Sequence, residues 1–124
     1  MADTRKNTDF SMSFKAAGNG IIYTLKTEKH MKFHVFAAAA VVLAGLFFHL
    51  STVHWLFLVY AIGSVVVAEL FNTAIERAID LAEPNYNSLA GIGKDIASGA
   101  VLVTALQAVI IGIIIFGPNM IRLF

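Results

Sequence analysis

Three apolar runs dominate the chain: residues 33–50 (FHVFAAAAVVLAGLFFHL), 53–68 (VHWLFLVYAIGSVVVA) and 96–116 (IASGAVLVTALQAVIIGIIIF). A membrane-spanning helix needs about 20 such residues, with a working range of about 17–25. The first and third runs meet that length as they stand. The second is shorter, but apolar residues at helical spacing carry it on through Leu81, giving about 28 residues and about 42 Å at 1.5 Å per residue. Such a helix overruns the hydrocarbon core, so its last turns are expected in the headgroup region or in water. The pattern predicts spans over about 33–50, 53–81 and 95–117. Residues 83–93 (EPNYNSLAGIG) hold Pro, Asn, Ser and Gly and are expected to form a turn-rich loop.

Ahead of the first run, Phe10, Phe14, Ala17, Ile21 and Leu25 recur at helical spacing. At 100° per residue they share an arc of about 80°, with Lys15, Asn19 and Lys26 opposite. This predicts an amphipathic helix over about residues 8–27, lying on the membrane surface. Gly18 and Gly20 weaken it by about 1 kcal/mol each relative to Ala. The fold class expected is therefore an all-α membrane protein, one domain over 1–124 with a surface helix and three transmembrane helices.

Composition removes the main alternative. Of 124 residues, 58% are hydrophobic and 14% charged, against about 45–50% and about 25% in ordinary globular chains. A chain this short cannot hide that much apolar surface within its own fold in water. Arg5, Lys6, Lys15, Lys26, Lys29 and Lys32 precede the first span, none of the nine basic residues lies in the first link (HLSTVH), Lys94 lies in the second link with Arg77 close by, and the tail holds Arg122. By the distribution of positive charge, the N-terminus and second link are expected on the cytoplasmic side of a cell membrane. The first apolar run begins far later than in a secretory leader. The net charge of +1 leaves no basic field for nucleic acid, and the absence of cysteine removes disulfides and thiol chemistry.

Candidate chemistry concentrates on the inner third of the second span. With Glu69 at zero, Asn72, Glu76 and Asp80 fall at about 300°, 340° and 20°, one face of about 80° over three turns. Glu69 follows 16 residues of apolar run and lies about 24 Å along the helix, near the inner edge of the hydrocarbon. A carboxylate at that depth is costly unless paired, metal-bound or hydrated. A solvated acidic face explains Asp80 and Glu76 but not Glu69, which follows Val65, Val66, Val67 and Ala68. Three acids and an amide suit a hard cation such as Mg²⁺, which takes oxygen ligands together with substrate phosphates. Gly93-Lys94-Asp95-Ile-Ala-Ser98 opens the third span on the same side, placing Lys94 at an expected helix start, where an anion is favoured. Together these groups suggest phosphate chemistry on a lipid hydroxyl; ion conduction along a polar stripe stays open.

Nucleotide signatures of soluble enzymes are absent. Around Gly91-Ile-Gly93-Lys94-Asp95, Ser88 stands where a P-loop has its first Gly, and Asp95 where it has Ser or Thr. His30 and His34 have helical ligand spacing, but with no third ligand they are expected to be interfacial histidines.

Glu69-Leu-Phe-Asn-Thr-Ala-Ile-Glu76-x-x-x-Asp80 followed by Lys94-Asp95-Ile-Ala-Ser-Gly-Ala-Val resembles the prokaryotic-type diacylglycerol kinases over most of the chain, from Phe14 to about Phe116. Ser13-Phe14-Lys15-Ala-Ala-Gly18-Asn-Gly20 and Thr27-Glu28-Lys29-His-Met-x-Phe33-His34 are similar to the Gram-positive branch, which acts mainly on undecaprenol. The resemblance implies a homotrimer using ATP and Mg²⁺, with active sites between subunits at the cytoplasmic interface. It implies Glu69 as the catalytic base, Glu28 and Glu76 as metal ligands, and Asn72, Asp80, Lys94 and Asp95 as nucleotide contacts together with those two acids. Asn85, Tyr86 and Asn87 fall on an adenine-side loop. Phe71 departs from the usual aliphatic residue, and the family's N-terminal nucleotide contacts do not map onto Asp9 and Ala16.

Continued helically from Phe10, Glu28 would turn toward the apolar face, a conflict that a metal partner would resolve. The lipid is expected beside Phe14, Ala17, Ile21, Leu25, Glu69 and Ser98, in a groove whose apolar residues offer no hydrogen-bond donors. The expected activity is ATP- and Mg²⁺-dependent phosphorylation of a membrane lipid alcohol, most simply undecaprenol. The alternatives are diacylglycerol as acceptor, a cation or proton pathway, and a non-catalytic membrane adaptor.

Overall fold

The computed structural model describes residues 9–124, and these form four α-helices and no strand: α1 (Phe10–Thr27), α2 (Lys29–Phe47), α3 (Thr52–Ala82) and α4 (Ser88–Leu123). The expected start of the surface helix at Thr8, and Arg5 and Lys6 of the charge count, lie outside the described residues. α2, α3 and α4 are each long and apolar enough to cross a membrane. α3 is the central element. α4 lies against it over much of its length, while α2 and α1 touch it over shorter stretches.

α1 starts where Asp9 caps it, its carboxylate accepting from the Met12 N–H at 3.0 Å. It runs unbroken through Gly18 and Gly20. Phe10, Phe14 and Ile21 on its apolar face stay exposed within the chain, as suits a face meant for lipid or another subunit. The helix ends at Thr27. Thr24 and Thr27 turn their hydroxyls back onto the Gly20 and Tyr23 carbonyls (2.9 and 2.8 Å), a habit that slightly loosens a helix. Glu28 alone is extended (φ −104°, ψ 117°) and makes the elbow into α2.

The first span thus begins at Lys29 rather than 33: the Lys32 N–H already bonds the Glu28 carbonyl at 3.2 Å, and Met31 in this first turn is buried, at 1% exposed. It ends at Phe47 rather than 50. There the His49 N–H reaches the Leu46 carbonyl and the Leu50 N–H the Gly45 carbonyl, with His49 in the left-handed region (φ 52°). This is the Schellman stop, which returns the chain to α3. Gly45 is required there: a Cβ would sit 2.7 Å from the Trp55 ring and 3.2 Å from Leu50.

Ser51 caps α3, accepting from the His54 N–H at 3.3 Å. The largest departure from expectation is at the third span, which begins at Ser88 instead of 95. The Asn87 side chain accepts from Leu89 N (2.9 Å) and Ala90 N (3.3 Å), a cap that stabilises a helix start by about 0.5–2 kcal/mol. Gly91 and Gly93 are therefore helical, not part of a loop. Gly93 also permits a close approach to α3, since a Cβ there would meet Ile79 at 3.0 Å. At the far end α4 continues past Pro118 to Leu123. The proline removes one N–H near the terminus, where the Asn119 amide donates to the Ile115 carbonyl at 2.9 Å.

Few side chains are buried. Met31, Leu58, Ala61, Val65, Ala97 and Ile115 make up the described apolar core, while large residues along α2, α3 and α4 stay exposed. The chain's apolar surface faces outward, as a lipid-embedded protein or subunit requires.

Candidate functional site

The acidic stripe of α3 runs from a buried end to a solvated one. Glu69 is 2% exposed, Asn72 is buried, Glu76 half-buried, and Asp80 exposed. This gradient follows from a single helix passing out of the apolar packing around Leu58, Ala61 and Val65 toward the loop at Glu83–Asn87.

Glu69 faces α2. His34 Nε2 stands 3.3 Å from Glu69 Oε1, with the imidazole largely covered. His34 is thus not an ordinary interfacial histidine. One turn further along α3, the Thr73 hydroxyl donates to the Glu69 carbonyl at 2.9 Å and so leaves the carboxylate alone. The Asn72 amide donates to Glu76 Oε1 at 3.2 Å, and its own Oδ1 is buried with no hydrogen-bond partner. A buried acceptor left alone costs about 1–3 kcal/mol, so this oxygen marks a place where a ligand or cation would be stabilised.

Glu28 does not point unaccompanied into the apolar face. Its carboxylate accepts from the Arg77 guanidinium, which also donates from Nε to the Tyr23 hydroxyl at 3.0 Å. The elbow at Glu28 ends the helical register that created the predicted conflict, and Arg77 supplies the partner. Arg77, Tyr23 and His34 are the site's polar residues that sequence reasoning missed. Arg77 sits beside Glu76 in sequence but on the flank of the stripe, and only the fold brings α1 against it.

Lys94 pairs with Asp80 across the α3–α4 interface at 2.5 Å. It lies well inside α4 rather than at the helix start, because Asn87 begins the helix earlier. Anion binding by free N–H groups at Lys94 is therefore excluded, and its ammonium alone can serve. Asp95 and Ser98 are exposed on α4. In the linker Tyr86 is fully open to solvent, and Asn87 Oδ1 is engaged as the cap.

A groove of about 430 Å³ lies between α1 and α3, lined by Ala17, Gly20, Ile21, Thr24, Leu70 and Ala74 with Tyr23, Thr73 and Arg77. Of the residues expected beside the lipid, Ala17 and Ile21 line this groove, and Phe14, Leu25, Glu69 and Ser98 do not. The groove is also not free of donors: Arg77 and Tyr23 stand at one end. The Thr24 and Thr73 hydroxyls are turned to helix carbonyls.

Among the described residues no three His, Asp or Glu side chains converge closely enough to form a closed metal cage. The donor set instead fits a cation that arrives with phosphate oxygens, since Mg²⁺ commonly takes only one or two protein carboxylates. Glu76 beside the unpartnered Asn72 oxygen meets that description. Glu28 meets it only when Arg77 releases it.

Residues 15–116 match the family model described as prokaryotic diacylglycerol kinase. The chain is 42% identical over 111 residues to the undecaprenol kinase of Bacillus subtilis, covering 90% of each protein. It is 36% identical over 113 residues to the diacylglycerol kinase of Synechocystis sp., covering 90% of this chain and 65% of that protein. It is 28% identical over 106 residues to the diacylglycerol kinase of Escherichia coli K12, covering 83% and 87%.

Proposed function

The chain belongs to the prokaryotic diacylglycerol kinase family, and from that premise we propose that it transfers the γ-phosphoryl group of Mg·ATP to the hydroxyl of a membrane lipid, undecaprenol in preference to diacylglycerol. The observation that carries this reading is the Glu69 carboxylate, buried where the apolar part of α3 ends and followed by a stripe that opens to water. A lipid alcohol can meet it from the bilayer while a nucleotide approaches from the solvated end.

In this mechanism Glu69 takes the proton of the lipid hydroxyl as that oxygen attacks the γ-phosphorus. A new P–O bond forms in line with the breaking bond to the ADP oxygen. Lys94 turns from Asp80 to neutralise phosphate charge. Glu76, with the Asn72 oxygen beside it, and Glu28 at the α1–α2 elbow would hold Mg²⁺, which would supply charge neutralisation for the nucleotide's phosphates. Asp80, Asp95, Asn85, Tyr86 and Asn87 border the nucleotide on the solvated side. Because the Asn87 oxygen caps α4, it is the amide nitrogen of Asn87 that remains for the base. The lipid's apolar body lies against Ala17 and Ile21 in the α1–α3 groove. Phe14, Leu25 and Ser98 contribute from outside its walls.

The stripe ends at Glu69, and the outer part of α3 offers no continuing polar path, which favours phosphoryl transfer over ion conduction. Assembly as a homotrimer is proposed on the family resemblance, with the exposed apolar faces available to lipid or to a second subunit; any mass other than that of three chains by native mass spectrometry of the detergent-solubilised protein would refute it. The active site is assigned to the cytoplasmic side on the positive charges. Since the chain has no cysteine, single cysteines at Asn85 and Ser51 report sidedness directly. Asn85→Cys is expected to react only from the cytoplasmic side and Ser51→Cys only from outside, and the reverse pattern would overturn the assignment.

Lipid choice rests on the likeness to the Bacillus subtilis undecaprenol kinase and on the groove. A diacylglycerol brings two esters that need donors, and a buried acceptor left without one costs about 1–3 kcal/mol. The Thr24 and Thr73 hydroxyls are engaged, so the groove's free donors are the Tyr23 hydroxyl and the remaining Arg77 N–H groups, and the stretch lined by Ala17, Ile21, Leu70 and Ala74 offers none. Undecaprenol is expected to be favoured at least about tenfold in kcat/KM, the factor equivalent to about 1.4 kcal/mol. The test is both lipids at matched mole fraction in the same micelles; equal or faster turnover of diacylglycerol would refute the preference.

A further inference from the structure

We infer that His34 is a positioning residue for the lipid-activating carboxylate: from α2 it holds the buried Glu69 side chain of α3 in the orientation that meets the lipid hydroxyl. The inference rests on the reading of Glu69 as the base.

Three observations carry it. First, His34 Nε2 lies 3.3 Å from Glu69 Oε1, and the two side chains are 17% and 3% exposed. A carboxylate so covered is costly unless it is paired or metal-bound. Second, the donors one turn along α3 are committed elsewhere: the Thr73 hydroxyl to the Glu69 carbonyl and the Asn72 amide to Glu76, while the Asn72 oxygen is an acceptor and cannot serve a carboxylate. Among the described residues, His34 is the one charged or chargeable side chain within ion-pair distance of Glu69. Third, the imidazole is itself constrained. The Phe33 ring meets it edge-on at 5.6 Å and 72°. On its other side is a narrow slot of about 100 Å³ whose walls include Ala37, Ala38, Val41, Ala61 and Val65. The slot offers no second polar partner, so the ring's Nε2 is directed to the carboxylate.

A base that must meet a hydroxyl on a mobile lipid cannot be free to rotate. A misplacement of about 1 Å can cost about 10²-fold in rate. His34 therefore acts through Glu69 and touches neither phosphate nor lipid.

The test compares kcat and KM in the full-length protein in micelles. His34→Leu removes the polar group and keeps apolar bulk; it is expected to lower kcat by about 10²-fold while KM for Mg·ATP is unchanged. His34→Gln places an N–H donor at similar reach and is expected to recover most of the loss. A purely structural role would instead lower the unfolding midpoint of both variants without this split. Unchanged kcat in His34→Leu, or no recovery in His34→Gln, would overturn the proposal.

Imidazole nitrogen NMR gives a readout independent of turnover. The four histidines are assigned with His34→Gln, and Glu69→Gln is expected to move the His34 Nε2 resonance alone. A resonance that stays in place would refute the pairing. Wild-type protein inactive on both lipids would refute the kinase reading without touching the pairing.

Discussion

Glu69→Gln is expected to lower phosphoryl transfer by about 10²–10⁴-fold, the usual contribution of a positioned base, while Mg·ATP still binds. The amide has the shape of the carboxylate and cannot take the lipid's proton. Its site, beside Val65 and Thr73 within the helix packing, is covered, with Glu69 2% exposed. The groups proposed to face the nucleotide lie further along α3, from Asn72 to Asp80, so their arrangement is not expected to depend on the Glu69 charge. Nucleotide binding measured by calorimetry beside turnover separates the two roles. Loss of Mg·ATP binding at unchanged turnover would make Glu69 a ligand and place the base elsewhere.

Glu76→Gln is expected to raise the Mg²⁺ concentration needed for half-maximal rate by at least about tenfold, the low end of what loss of a metal's supporting partner costs. The substitution preserves an oxygen that can still accept from Asn72, so the helix stripe keeps its internal bond and only the charge is removed. A Mg²⁺ titration at fixed ATP reads the shift, and an unchanged midpoint would remove Glu76 from the metal site. Glu28→Gln is expected to show a smaller shift. Glu28 is paired with Arg77 in the structure, so part of its metal affinity is already spent in displacing the guanidinium.

What could be read from the sequence was what repeats locally. The apolar runs predicted three long helices, and the Phe10-to-Leu25 spacing predicted the one before them, because both signals lie within single helices. The stripe from Glu69 to Asp80 was legible for the same reason. Element ends were less so. Pro84, Asn85, Gly91 and Gly93 together suggest a loop, and only the Asn87 cap shows that the helix has already begun at Ser88. This shift also changes the chemistry of Lys94, from a helix-terminal anion site to a side chain paired with Asp80.

Contacts between distant segments left no local trace. Arg77 meets Glu28 across 49 positions of sequence, and His34 meets Glu69 across the α2–α3 interface. Neither partner is periodic with its target. The helical conflict assigned to Glu28 disappears because one extended residue breaks the register at the elbow. Depth was legible where partnership was not: the run of valines before Glu69 marked a carboxylate that must be compensated, and the structure supplies His34 as the group that does so.

The most direct test of the account is transfer from γ-³²P-labelled ATP by the purified protein in detergent micelles with Mg²⁺, given undecaprenol or its methyl ether, which lacks the hydroxyl. The account predicts label in the organic phase as undecaprenyl phosphate, dependent on Mg²⁺ and absent with the ether. No labelled lipid from undecaprenol or from diacylglycerol under the same conditions would contradict it.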